Sequence, residues 1–400
     1  MPPFNPRLLA SDPPAVIEAL RWLDGVRFPP DRPLMMFSQA APAAPPPEPL
    51  RRALAEIVMN DPAAHLYGPD LGLPELRAEL AATTARRYGG TIRADQVAIT
   101  SGANQAFTAA VSSLAGEGDE VLLPTPWYFN HKMHCDMTGV RAVPLPTGAT
   151  LIPDPGRAET LITERTRAIA LVTPNNPGGT EYPAEVLRAF RDLARAHGLA
   201  LILDETYRDF HARPGPPHDL FADPDWDDTL IHLYSFSKAY RLTGHRVGAM
   251  IASAERLTQV EKYIDTVTIC PNQLGQRAAL WGLRNLDTWL AGERDEILAR
   301  RAAMEQGLAA LPGWRLLGLG AYFAYVRHPF ALSSPEVAQR LVRDASILLL
   351  PGTMFRPATQ PEGRQELRIA FANADRDGIA ELFDRLAGVN LPLAPAPEAL

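Results

Sequence analysis

The run Ser235-Phe236-Ser237-Lys238-Ala239-Tyr240, followed by Gly244-His245-Arg246-Val247-Gly248, gathers hydroxyls, an amine and a guanidinium in one short stretch. Lys238 is one of three lysines, with Lys132 and Lys262; every other basic residue in the Lys+Arg total of 39 is an arginine. An amine can lose its proton and attack a carbonyl, whereas a guanidinium effectively cannot. A lysine kept in an arginine-rich chain is therefore a candidate for chemistry. An amine nucleophile beside an anion-binding Arg246 and Ser235 is what an aldehyde that also carries a phosphate requires.

Other polar clusters follow short apolar runs. Thr100-Ser101-Gly102-Ala103-Asn104-Gln105 ends a predicted strand and opens a predicted helix. Small residues there let the backbone approach a ligand, and a helix N-terminus offers free N–H groups to an anion. A plain strand-to-helix turn reads equally well. Asn175-Asn176-Pro177-Gly178-Gly179 is by itself a tight turn. Asp204-Glu205-Thr206-Tyr207 puts a carboxylate at the end of the apolar run Leu199–Leu203, where it needs a cationic or N–H partner. A helix N-cap would also satisfy it.

The elements that must position these clusters alternate. Strands are expected at Val97–Thr100, Glu120–Leu123, Val140–Leu145, Arg167–Thr173, Leu199–Asp204, Leu230–Ser235 and Val247–Ala252. Helices are expected between them at Gln105–Leu114 and Glu185–His197. Such alternation predicts an α/β fold with a mostly parallel sheet sandwiched by helices. Ligands gather at the carboxyl ends of the strands in such sheets. After a long helical stretch at Leu286–Leu311, strands at Tyr322–Val326, Ile347–Leu350 and Glu366–Phe371 and helices at Pro335–Asp344 and Arg376–Leu386 suggest a smaller α+β unit. The N-terminal part is Pro-rich, with a short helix at Ala15–Leu23, an extended arm at Ala41–Pro49 and a helix from Leu50 to Met59. The expected division is an N-terminal arm over residues 1–47, a large domain over 48–295 and a C-terminal part of the small domain over 296–400.

In this order and spacing, the segments from about Met36 to Leu386 resemble a class I/II aminotransferase. That is a pyridoxal-phosphate (PLP) enzyme of fold type I, similar to aspartate aminotransferase. The resemblance implies that Lys238 is the Schiff-base lysine and that Asp204 pairs with the pyridine nitrogen. It implies that Asn176 and Tyr207 hydrogen-bond the 3′ oxygen. Ser235, Ser237 and Arg246 would hold the phosphate with the backbone at Gly102, Ala103 and Asn104. Tyr128 would stack on the ring, with Trp127 the close alternative. Tyr67 would reach the phosphate of a second subunit, which implies a homodimer with shared active sites. Arg368 would clamp the substrate α-carboxylate, with Asn176 and Ala40 beside it. Many relatives have a glycine near Ala40, so the alanine is a departure that narrows the expected pocket; Ala103 is another.

The implied reaction is ping-pong transamination between an L-amino acid and a 2-oxo acid. Elimination or C–S cleavage, cyclisation and decarboxylation are alternatives on the same scaffold, and a non-catalytic PLP-binding regulator is a more distant one. His65, Trp127, Phe129 and Tyr322 are candidates for an aromatic-tolerant pocket. The net charge of −7 argues against nucleic acid as the partner. Cys135 and Cys270 lack metal or disulfide spacing, and no metal site is expected. The start lacks the basic and apolar regions of a secretory signal. No run of about 18 apolar residues occurs. The expectation is a cytoplasmic enzyme without membrane contact.

Overall fold

Five runs, Val97–Thr100, Glu120–Thr125, Ala200–Asp204, Leu230–Ser235 and Gly248–Ile251, have every residue buried in a computed structural model that describes residues 2–395. Strands buried on both faces must be covered on both faces. They join Arg141–Pro146 and Thr166–Val172 in a seven-stranded sheet. From one edge, its strands begin at residues 97, 248, 230, 200, 166, 120 and 141. Gly248–Ile251 runs antiparallel to both neighbours, and the other pairings are parallel. Side chains alternate between two cores. Leu122, Ile169, Leu201 and Leu203 enter one, and Val121, Ala168, Ala170 and Ile202 enter the other.

Helices Ala103–Ser112 and Ala184–Ala196 lie where their apolar periodicity puts them. Helices Pro74–Tyr88 and Phe129–Thr138 were not expected. The first starts on a proline that suits an initial helical turn and stops at Gly89, where φ is +77°. The second, built from Phe, His, Lys, Cys and Asp, lacks a clean apolar stripe, and its buried face is His131, His134 and Cys135. Residues 41–47 carry no regular structure, and the following helix begins at Glu48.

The C-terminal part folds around a second, antiparallel sheet of Leu350–Pro351, Glu366–Ala370, Phe323–Arg327 and Arg315–Gly320, in that order. Its last strand, Arg315–Gly320, was not expected. The single strand expected at Ile347–Leu350 is two: Ile347–Leu348 pairs in parallel with Met35–Met36, while Leu350–Pro351 turns to join the antiparallel sheet. The N-terminal Phe37 is buried in the same core as Leu341, Ile369 and Leu382. Both ends of the chain thus meet in one unit beside the carboxyl edge of the large sheet.

Candidate active site

Three parallel strands deliver chemistry to that edge. Thr166–Val172 runs into Asn176, Ala200–Asp204 ends on Asp204, and Leu230–Ser235 ends on Ser235, just before Lys238. A cavity of about 340 Å³ opens there. Its walls include Lys238, Asp204, Tyr207, Asn176, Ser235 and Ser237. Arg246, Ala103, Asn104 and Tyr128 complete the side of the large sheet, and Ala40 and Arg368 come from the unit formed by the chain ends.

The Lys238 amine donates to the Ala40 carbonyl oxygen at 2.5 Å and faces no carboxylate at ion-pair distance among the described residues. Burial, then the positive charges of Arg246 and Arg368, lower its pKa from 10.5 to about 8. Asp204 is buried; its Oδ1 accepts from the Thr206 N–H at 2.9 Å, and its Oδ2 lies 3.4 Å from His131 Nε2. His131 is itself held flat against Phe107, with ring centroids 3.6 Å apart and planes 9° from parallel. Burial, then neighbouring Tyr128, push the Tyr207 phenol well above its ordinary pKa, so at neutral pH it is a hydrogen-bond donor.

The anion end is built from small residues. Gly102 has φ +85°, which strains any other residue, and a Cβ there would lie 2.3 Å from Arg246 Nη2 and push the guanidinium from its place. Arg246 donates to the Thr243 carbonyl at 3.0 Å and reaches Ser237 Oγ at 3.5 Å. Ser235 Oγ accepts from the Ser237 N–H at 3.3 Å. The helix Ala103–Ser112 starts here and turns its free N–H groups toward the same end.

Arg368, in the strand Glu366–Ala370, is only 2% exposed. It donates to Asn176 Oδ1 at 3.0 Å and to the Ser38 carbonyl, and its Nε has no partner. Burial lowers its pKa to about 10, against the opposing influence of Tyr207, Tyr128 and Tyr325. A buried guanidinium with no carboxylate beside it is costly and is matched by an incoming carboxylate.

The structure separates Tyr128 from Trp127, which sequence left open. Tyr128 faces the cavity and hydrogen-bonds Asn104 Oδ1 at 3.2 Å, whereas Trp127 is turned to a different cavity. Asn175 is a turn residue, since its Oδ1 accepts from Gly178 N–H at 2.8 Å, and Asn176 is the one that faces the cavity. Tyr67 does not line the cavity and is 80% exposed. Of the aromatic candidates only Phe129 is in the wall; His65 bonds the Val58 carbonyl at 2.9 Å, and Tyr322 packs behind Tyr207 at 5.3 Å. Sequence reasoning missed His131, Pro14, Val16 and Asn130. His131 sits on the helix that periodicity did not reveal, and nothing in an irregular N-terminus points Pro14 or Val16 at a site.

Residues 32–386 match the family described as aminotransferase class I and II. The chain belongs to this family. It is an aminotransferase. Relatives include an aromatic aminotransferase of Arabidopsis thaliana, 30% identical over 84% of this chain and 88% of its own length. An aspartate/prephenate aminotransferase of Thermus thermophilus is 30% identical over 86% of both chains. A valine–pyruvate aminotransferase of Mycobacterium tuberculosis is 30% identical over 88% of this chain and 90% of its own. The solved Thermus thermophilus aspartate aminotransferase with maleate superposes with a TM-score of 0.86 at 25% identity, covering 97% of this chain and 99% of that one. The expected fold class and reaction class therefore hold, and the enzyme acts on amino acids. No helix among the described residues is long and apolar enough to cross a membrane.

The residues present fit the cofactor of this family. The enzyme offers one enclosed amine of lowered pKa, a buried carboxylate, a glycine-lined cradle beside Arg246 and an Arg368 Nε without a partner.

Proposed function

We propose that the enzyme moves an amino group between an amino acid and a 2-oxo acid on pyridoxal 5′-phosphate held in this cavity, with Lys238 as its covalent anchor. The observation that carries the reading is the enclosed, carboxylate-free Lys238 amine between Arg246 and Arg368. When bound, the cofactor supplies a carbonyl for amines and a conjugated ring that takes up the electron pair released at Cα. Everything else is the work of side chains. Lys238, as the neutral amine, would hold the cofactor, and the same nitrogen, when free, would be placed to take and return the Cα proton. Asp204, whose Oδ1 accepts from the Thr206 N–H and whose Oδ2 lies 3.4 Å from His131 Nε2, would pair with the pyridine nitrogen. Tyr207 and Asn176 donate to the 3′ oxygen. Ser235, Ser237, Arg246 and the N–H groups after Gly102 bind the phosphate. Tyr128 covers the ring, and Arg368 holds the substrate α-carboxylate beside Ala40.

The same reading makes the enzyme a homodimer in which Tyr67 serves the partner's site. Two observations support it. Tyr67 is exposed and outside its own cavity, and it lies in an apolar patch with Met59, Leu66 and Ile269, which are 79%, 65% and 43% exposed. The segments that carry these residues meet, because the Gly68 N–H reaches Cys270 Sγ at 3.4 Å and His65 binds the Val58 carbonyl. The division at residues 47 and 295 into an arm, a large cofactor-binding domain and a small domain belongs to this reading.

The test is spectroscopic and chemical. Wild-type protein mixed with pyridoxal phosphate is expected to gain a visible absorption band, to lose it on adding an amino donor and to release the 2-oxo acid in equivalence. Lys238→Ala is expected to lose the band. A wild-type protein that takes up no cofactor, or one that frees ammonia instead, refutes the proposal.

A further inference from the structure

Beyond the wall of the catalytic cavity lies a second cavity of about 530 Å³. The two share Phe129. The N-terminal segment divides between them residue by residue: Pro14 and Val16 face the catalytic cavity, and Pro13 and Ala15 face the second. What separates the spaces is therefore one part-buried aromatic ring and the short run Pro13–Val16, where the helix Ala15–Arg21 begins.

The partition belongs to an aromatic row that leads to the α-carboxylate clamp. Arg368, the α-carboxylate clamp of the proposed function, has its guanidinium carbon 5.0 Å from the Phe355 ring centre. Phe355 is 5.7 Å from Phe129, and Phe129 is 5.2 Å from Tyr128, the ring cover. Phe129 thus lines the catalytic cavity next to the ring cover and one aromatic ring removed from the Arg368 clamp. Pro14 and Val16 add only apolar surface there.

The second cavity has the chemistry of an apolar receptor. Its floor carries Trp127, Met133 and Met354, and methionines adapt their shape to what they meet. Two of its cations are already neutralised. Lys132 holds Asp12 at 3.0 Å and Asp136 at 2.6 Å, and Arg356 holds Glu366 at 2.6 Å. Arg364 stands solvent-exposed at the mouth.

We propose that this second cavity receives the side chain of the amino donor, with Phe129 as the movable partition, so that the enzyme prefers donors with a large apolar side chain. The inference rests on the roles proposed for Arg368 and Lys238. A change of the Phe129 rotamer about χ1 joins the spaces. A small donor such as alanine reacts without entering the second one, and a dicarboxylate meets Lys132 and Arg356 already paired there, with only the solvent-exposed Arg364 left to face it.

The experiment uses the holoenzyme, and follows the loss of the visible band after adding L-phenylalanine, L-alanine or L-aspartate. In the wild type, phenylalanine is expected to react with a second-order rate constant about tenfold or more above that of alanine, with aspartate below phenylalanine. Thr353→Trp and Ala358→Trp fill the second cavity from residues that line it alone. Each is expected to lower the phenylalanine constant about tenfold while leaving the alanine constant and the band in place. Two variants at different points guard against a fold defect in either. Unchanged phenylalanine-to-alanine ratios in both, or aspartate outrunning phenylalanine in the wild type, overturn the inference while alanine turnover keeps the active-site reading intact. Silence of all three donors overturns both.

Discussion

Replacing Lys238 by methionine is expected to make the cofactor-free protein more stable at neutral pH, not less. Folding places the amine in an enclosed site beside Arg246 and Arg368, and its pKa falls from 10.5 to about 8. The unfolded chain then binds the proton more tightly than the folded one. The folded state bears the full cost below about pH 8, and the cost fades as the pH rises toward 10.5, where neither state is protonated. Each pKa step is worth about 1.4 kcal/mol, and because the amine faces a cavity rather than packed protein the cost is roughly 2–3 kcal/mol. Methionine fills a similar volume without charge, but it strips the Ala40 carbonyl of its donor, which takes back about 1 kcal/mol. The net gain at pH 7 is about 1–2 kcal/mol, and its sign reverses near pH 10, where the neutral lysine keeps its hydrogen bond at no charge cost. Urea unfolding of cofactor-free wild type and Lys238→Met from pH 7 to 10 reads this directly, since other titrations cancel in the difference. A stability difference that stays flat with pH, or grows in favour of the variant as pH rises, would refute the electrostatic account of Lys238.

Further outcomes follow from the same geometry. Arg368→Leu is expected to lower kcat/KM for any amino donor about a hundredfold while leaving the visible band, because a buried charge-assisted contact is lost on the substrate side only; donor kinetics and absorbance together check it. Gly102→Ala brings a Cβ to 2.3 Å from Arg246 Nη2 at φ +85°, so cofactor affinity measured by fluorescence titration is expected to fall more than tenfold. Glu205 is fully buried, and its Oε2 accepts from Tyr88 OH at 2.6 Å, His232 at 2.8 Å and His218 at 3.1 Å. Glu205→Leu strands all of these groups and is expected to cost about 3 kcal/mol or more in urea unfolding.

Much of this site was legible before any coordinates because its residues sit at ends of strands. A buried strand is a short apolar run, and the polar residue that terminates it has nowhere to go but the sheet's edge; Asp204, Asn176 and Ser235 were readable for that reason. Lys238 stood out by scarcity in an arginine-rich chain. Arg368 was readable from its strand and the resemblance together, but its unpartnered Nε was not, since hydrogen-bond completeness is a property of packing. The helix Phe129–Thr138 was missed because its buried face is histidine and cysteine rather than aliphatic, and His131 went with it. Pro14 and Val16 reach the cavity through a contact between chain segments far apart in sequence, which no local pattern encodes. Ile347–Leu350 read as one strand because periodicity cannot show that the chain changes sheets partway along.

The pairing of Met35–Met36 with Ile347–Leu348 carries a consequence for biosynthesis. The seven strands between Val97 and Ile251 can assemble on the ribosome from contiguous sequence. Met35 and Met36 cannot find their partner until residues 347 and 348 have been translated. Phe37 and Ala40 beside them wait as well, so their side of the roof over Lys238 is laid late. A nascent chain stalled before residue 347 would hold a formed sheet with its reactive amine uncovered.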